Sequence, residues 1–155
     1  MEKSLLTCGP PNHYDFVTPF VWKGDIPLKV KAFGWRCFKH RIPTKVLLKN
    51  RGILPSNSNL FCPLCDDGLE SPVHLFFSCQ KADDVWKDMA NWIGLVNYKE
   101  VDFKESFWTW RSFCRSKKVS KGKVGCVWLA IVWSIWLSRN GVIFKNKPWN
   151  SRDVV

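Results

Sequence analysis

Acidic side chains are scarce in this 155-residue chain: 13 Asp and Glu stand against 24 Lys and Arg, a formal charge of +11. With so few carboxylates there is no spaced acidic set for a nuclease. The one adjacent aspartate pair, Asp83-Asp84 in "KADDVW", is flanked by a helical pattern. A polymerase needs its metal-binding aspartates on a hairpin, whereas acids in a helix's first turn meet the macrodipole favourably. A glycine-rich phosphate loop and a Gly-x-Ser-x-Gly elbow are also missing. Cys37 and His40 share a helix, but nothing orients the imidazole. The expectation is a protein without catalytic activity of its own.

Other absences narrow the class. "MEKSLLTCGPPNHYDF" has no basic start followed by a long apolar stretch, so the chain does not read as secreted. Its 7 cysteines are an odd number and do not read as a disulfide framework. A reducing intracellular setting, nuclear or cytoplasmic, is expected. The longest apolar run, "VGCVWLAIVWSIWL" over 124–137, falls short of the about 20 residues that a bilayer span requires. It reads as a buried helix covered by Phe107, Trp110 and their neighbours, with no membrane partner.

What the chain has in quantity is apolar bulk and positive charge. Hydrophobic residues are 46%, including 10 Trp and 11 Phe, enough for a packed core. The basic excess favours polyanionic partners.

Periodicity gives a mostly α class, and Cys62, Cys65, His74 and Cys79, a donor set suited to Zn²⁺, make it a small zinc-nucleated helical domain with an appended aromatic-rich helical segment. We divide the chain into an irregular N-terminal segment over 1–19, a zinc-binding unit over 20–96 and a helical C-terminal segment over 97–155. A helix from near Pro27 places Val30, Phe33 or Gly34, Cys37 and Arg41 on one stripe, widened by Leu28, Ala32, Trp35 and Phe38. A short helix follows, with Thr44 as its cap and Gly52 as its stop. A third runs from about Lys81 to Ile93, with Val85, Trp86, Met89, Trp92 and Ile93 inward and Gly94 at its end. Residues 103–115 carry Phe103, Phe107, Trp110 and Cys114 at helical spacing. A basic linker, "SKKVSKGK", leads to the apolar helix. Arg139-Asn140-Gly141 reads as that helix's stop, with a short extended piece after it.

"CPLCDDGLESPVHLFFSC", residues 62–79, carries the chemistry. Cys62, Cys65, His74 and Cys79 offer three thiolates and one imidazole, the donor set that tetrahedral Zn²⁺ prefers. Pro63 stiffens the Cys-x2-Cys turn, and Asp66-Asp67-Gly68 reverses the chain. On an unbroken helix, His74 and Cys79 would be rotated by about 140°, so the chain must break between them. Ser71-Pro72 is a cap and first-turn pair for a short helix over 72–77. Four ligands leave no open position for water, so one Zn²⁺ per chain with a structural role is expected. Glu70 reads as a solvated loop acid or a hydrogen-bond partner of His74. Cys8, Cys37, Cys114 and Cys126 read as small core residues.

The stretches "VWKGDIPLKVKAFGWR", "RIPTKVLLKNRGI", "CPLC", "ESPVHLFFSC" and "ADDVW" follow one another in an order that resembles the zinc-binding domain of plant LINE-type (non-LTR retrotransposon) reverse transcriptases. "VWSIWLSRNGVIF" resembles the segment that commonly follows it. The resemblance implies a nucleic-acid-associated domain of a retroelement polyprotein, its ligands falling on Cys62, Cys65, His74 and Cys79. With no polymerase ahead of Met1 and no ribonuclease H after Val155, a truncated element or a small gene derived from one is expected.

Under that reading Lys29, Lys31, Lys39, Lys45, Lys49 and Arg51 are the candidate contacts to the phosphates of RNA or DNA. Lys117, Lys118, Lys121 and Lys123 form another basic cluster, and Trp22 and Phe61 are candidate stacking platforms for unpaired bases. The alternative is a structural or protein-interaction domain that braces a reverse transcriptase or another retroelement protein without binding nucleic acid.

Overall fold

The computed structural model describes residues 18–23, 25–116 and 121–150. The expected irregular segment lies almost wholly outside these residues, and helix α1, Thr18–Lys23, opens the described chain. There follow α2 (Leu28–Phe38), α3 (Lys45–Asn50), a π-helical turn (His74–Ser78), α4 (Gln80–Ile93), α5 (Phe103–Ser116) and α6 (Lys121–Lys145). Among the described residues there is no strand, only an isolated antiparallel bridge between Phe61 and Leu69. The mostly α class holds.

α6 is the axis of the core and packs chiefly against α5 and α2. Trp128, Leu129, Ile131, Val132, Ile135 and Trp136 are buried along it. Phe107 meets Trp128 edge to face with ring centroids 5.4 Å apart, while Phe38 stacks on Trp128 at 5.3 Å. Such pairs add to the burial of their area. The Trp128 indole N–H donates to Ser106 Oγ at 2.9 Å, so that polar atom is not stranded. α2 reaches α6 through Gly34, where an added Cβ would run into the Leu129 side chain. This close approach accounts for a glycine inside a helix, where it otherwise costs about 1 kcal/mol relative to alanine.

The structure corrects four readings of these elements. α6 does not stop at Arg139-Asn140-Gly141; it continues to Lys145, and residues 146–150 follow without regular structure. Its Gly125–Lys145 portion is, by length and composition, long and apolar enough to cross a membrane, so the argument from a short apolar run fails. The covered tryptophan face and the buried Arg139 make it a core helix of this fold. Trp92 does not face inward: it is 77% exposed, on the side of the last turn of α4 opposite the buried Ala90. Leu28, at the first turn of α2, is likewise exposed.

Along α2 and α4 the periodicity, and the glycine stop of α4, act as the sequence suggests. Val30, Phe33, Cys37 and Phe38 are buried on α2, and Ala82, Val85, Trp86 and Ala90 on α4. α4 ends on Gly94 at φ 77°, the left-handed geometry that glycine adopts freely. Asp83-Asp84 sits at the start of this helix, where Asp83 pairs with Lys99 at 3.1 Å and Asp84 accepts from Gln80 at 3.0 Å.

Candidate metal centre

The metal loop is built by a reversal and a π turn. Cys62 N–H donates to the Gly68 carbonyl at 2.8 Å and Glu70 N–H to the Leu60 carbonyl at 2.8 Å, flanking the Phe61–Leu69 bridge. Between them the chain turns through Asp66 at φ 57° and Gly68 at φ 110°. Gly68 is needed twice over. Its φ suits glycine, and a Cβ there would sit 3.0 Å from His74 Cε1 and 3.1 Å from Nδ1. The backbone of Gly68 thus walls one side of the imidazole.

Ser71 caps the next segment as its position suggests, its Oγ accepting from His74 N–H at 3.0 Å. The short helix expected over 72–77 enters at Pro72 and Val73 and widens into a π turn over His74–Ser78, closed by Cys79 N–H donating to the His74 carbonyl at 2.7 Å. Cys79 itself is extended, at φ −68° and ψ 127°. The wider turn is the break that the five-residue spacing demanded, and π turns of this kind recur at functional sites.

One ligand atom from each of Cys62, Cys65, His74 and Cys79 lies within 4.8 Å of all the others. Cys62 Sγ and Cys79 Sγ are 3.9 Å apart, and Cys65 Sγ is 3.2 Å from His74 Nε2. Around a tetrahedral Zn²⁺ with Zn–S near 2.3 Å, sulfurs stand about 3.8 Å apart. The four groups therefore fit one zinc ion. The sulfurs are also prepared for charge. Cys62 is brought down to about 5, first by its hydrogen bond with the Cys79 thiol, against burial and with help from the Leu64 and Cys65 amides. Cys79 is raised in turn by its Cys62 partner and by burial, while the Lys81 and Ala82 amides at the start of α4 favour its thiolate. Metal binding would release the protons that the thiols still carry.

Glu70 is neither solvated nor a partner of His74. It is fully buried and accepts from Arg139 Nε at 2.7 Å and Nη2 at 2.8 Å. Its Oε2 also accepts from Lys45 N–H at 2.8 Å, and its carbonyl accepts from Val46 N–H at 3.2 Å. It therefore caps α3, the role expected of Thr44, whose hydroxyl is buried without a partner. The distance of Arg139 in sequence hid this arrangement. The only signal was an acid flanking the ligand loop, and an acid there is usually solvated.

The basic candidates are spread over α2 and α3. Lys29, Lys31 and Lys39 lie on or at the end of α2, and Lys45 and Lys49 on α3, with Arg51 as its C-terminal cap. Lys31 Nζ donates to the Trp22 carbonyl at 3.1 Å, and Lys29 Nζ stands 6.0 Å from the Trp133 ring centre. Lys45 Nζ donates to the Phe61 carbonyl at 2.8 Å, so this side chain also braces the metal loop. Trp22 and Phe61 are exposed, as a stacking role requires. Cys37 is a buried core thiol as expected, and Cys126 is half-buried. Cys8, the Cys114 side chain and the 117–123 lysine side chains lie outside what the structure describes.

No curated protein and no solved structure matches this chain. A family model described as zinc-binding in reverse transcriptase matches residues 7–86, half of the chain, and includes all four metal ligands. Match, donor set and tetrahedral fit agree, and the chain belongs to the domain family described as zinc-binding in reverse transcriptase.

Proposed function

We propose that this protein is a structural-zinc module that binds RNA or DNA through phosphate contacts and has no catalytic activity of its own. It holds one Zn²⁺ per chain and derives from a non-LTR retrotransposon of the plant LINE type. It acts in the nucleus or cytoplasm without a membrane partner, where a reverse transcriptase or another retroelement protein is a further partner. The observation that supports this reading best is the docking of a basic helix on the metal loop. Glu70 caps α3 and Lys45 Nζ holds the Phe61 carbonyl. Lys45 and Lys49, four residues apart, therefore share a helix face whose position the metal loop sets. Zinc here would supply rigidity rather than chemistry, since four protein ligands complete its tetrahedron.

The test is a titration of zinc-loaded protein against mixed-sequence RNA and DNA at several salt concentrations. Each neutralised phosphate contributes about −0.9 to the slope of log K against log salt on duplex DNA, and about −0.7 on single strands. With about four contacts the slope is roughly −3 to −4. Lys49→Ala with Arg51→Ala should flatten it by one to two units, on the order of two lost contacts. Lys45 is left intact because it braces Phe61. A slope near zero would instead support a protein-interaction domain, a reading favoured by the exposed apolar side chains of Trp92, Val96 and Val101 around the end of α4.

A further inference from the structure

Thiols gathered closely enough to hold one ion are also close enough to bond to one another. Cys62 Sγ and Cys79 Sγ stand 3.9 Å apart, and both residues are fully buried. A disulfide needs about 2.05 Å, so each sulfur has about 1 Å to travel, a small swing about its Cα–Cβ bond. The backbones of the pair are tied independently of the sulfurs. Cys62 N–H donates to the Gly68 carbonyl at 2.8 Å, and Cys79 N–H to the His74 carbonyl at 2.7 Å. The pair therefore keeps its spacing when a sulfur changes partner.

Cys65 differs from both. It is the half-buried cysteine of the three, and so the one open to a small reagent. Its Sγ is 3.4 Å from the Asp67 carbonyl and 3.2 Å from His74 Nε2. All four ligand atoms lie within 4.8 Å of one another, which leaves Cys65 one exchange step from the buried pair.

We propose that the metal centre is also a site of oxidative modification, where hydrogen peroxide enters at Cys65 and the product is a Cys62–Cys79 disulfide that excludes zinc. The proposal rests on the zinc reading above and is independent of nucleic-acid binding. The Cys65 thiolate attacks one peroxide oxygen, giving a sulfenic acid and hydroxide. The Cys62 thiol then displaces the sulfenic oxygen as water, and a Cys62–Cys65 bond forms. The Cys79 thiolate attacks the Cys62 sulfur, Cys65 leaves as a thiolate, and the proton shed by Cys79 turns the hydroxide into water. In sum, two thiols are oxidised to one disulfide and one peroxide is reduced to two waters. The exchange ends on the buried pair because a solvent thiol reopens an exposed disulfide more readily than a buried one. The product removes two of the four ligands, and Cys65 with His74 cannot complete a tetrahedral site.

The test treats the zinc-loaded full chain with hydrogen peroxide, alkylates the remaining thiols and follows released zinc with a colorimetric chelator. Cleavage after Glu70 separates Cys79 from Cys62 and Cys65. Mass mapping should therefore find two peptides joined by one disulfide, with Cys65 alkylated. Zinc release and this cross-link should rise in equal amounts, and a reducing agent with added zinc should reverse both. Cys37→Ser, outside the site, should change neither. An end product that contains Cys65, a bond between chains, irreversible oxidation without a disulfide, or zinc retained under peroxide overturns the proposal and leaves the zinc reading standing. A reduced chain that takes up no zinc overturns both.

Discussion

Arg139 and Glu70 are 69 positions apart and meet in the core, their side chains 5% and 0% exposed. The guanidinium takes both carboxylate oxygens, and the same carboxylate caps α3 beside the metal loop. The pair joins α6, which lies outside the family match, to the ligand-bearing segment within it. Removing one partner strands a buried charge, at a cost of about 3–5 kcal/mol. Arg139→Met should therefore lower the melting temperature by on the order of 10 °C and speed zinc loss to a chelator. Arg139→Met combined with Glu70→Gln should recover part of both, since no charge is then buried. Melting and chelator kinetics indistinguishable from wild type in the single variant would refute the role.

The described cysteines divide by environment, and thiol chemistry can read the division. Cys65→Ser and His74→Ala should lose the metal and the order of the loop, whereas Cys37→Ser should keep full zinc content by elemental analysis. Structural zinc contributes an apparent ~10–16 kcal/mol in finger peptides. Burial raises the Cys37 thiol well above its ordinary 9.0. A raised thiol pKa in the fold means that its stabilising contribution is whole below about 9 and is lost as pH rises beyond it. In native protein at pH 8, alkylating reagent should leave Cys37 unmodified, and mass mapping should find it labelled only after unfolding. Rapid native labelling of Cys37 would contradict the packing described.

Gly68 and Gly52 form a matched pair for testing the wall beside His74. Both have positive φ, 110° and 68°, but only Gly68 has a neighbour within 4 Å of an added Cβ, and that neighbour is the imidazole. Alanine at either position meets backbone strain, roughly 1–2 kcal/mol. Gly68→Ala should in addition displace the ligand ring and weaken zinc binding about 10–100-fold, the range seen when groups that orient a ligand are altered. Gly52→Ala should leave zinc affinity unchanged. Competition against a colorimetric chelator measures both, and equal affinities in the two variants would sink the claim.

The ligand set was legible because four donors, three thiols and one imidazole, at such spacing carry their own chemistry, and the break before Cys79 followed from helical rotation alone. The inward faces of α2 and α4 were legible from period, except where no neighbour covers the period, as at Trp92. What stayed hidden depends on remote partners. Glu70 looked solvated because its counter-ion is on α6. Arg139-Asn140-Gly141 looked like a stop because a charged residue beside glycine usually marks an exposed end. Here the charge is buried and neutralised, and the helix carries on to Lys145. Thr44 looked like a cap because no local pattern announces that a distant carboxylate has taken the position.

Gly34 gives the most direct test of how α2 sits on α6. On an isolated helix, Gly→Ala is favourable by about 1 kcal/mol, because alanine loses less backbone freedom. Here the added Cβ meets the Leu129 side chain, which is itself buried in the core and must shift against its neighbours to admit it. Overpacking of a filled core costs typically about 1–3 kcal/mol, enough to cancel the propensity gain or exceed it. Gly34→Ala should therefore lower the melting temperature despite raising intrinsic helicity. Leu129→Ala alone should also destabilise, by about 2–5 kcal/mol, through the cavity it leaves. Combined, the two changes should be less harmful than their sum, since the new methyl enters the space that Leu129 vacates. A double-mutant cycle by thermal melts measures that coupling, which neighbours in contact show at about 0.5–3 kcal/mol. Strict additivity, or a Gly34→Ala variant more stable than wild type, would mean that the two helices do not meet at this point.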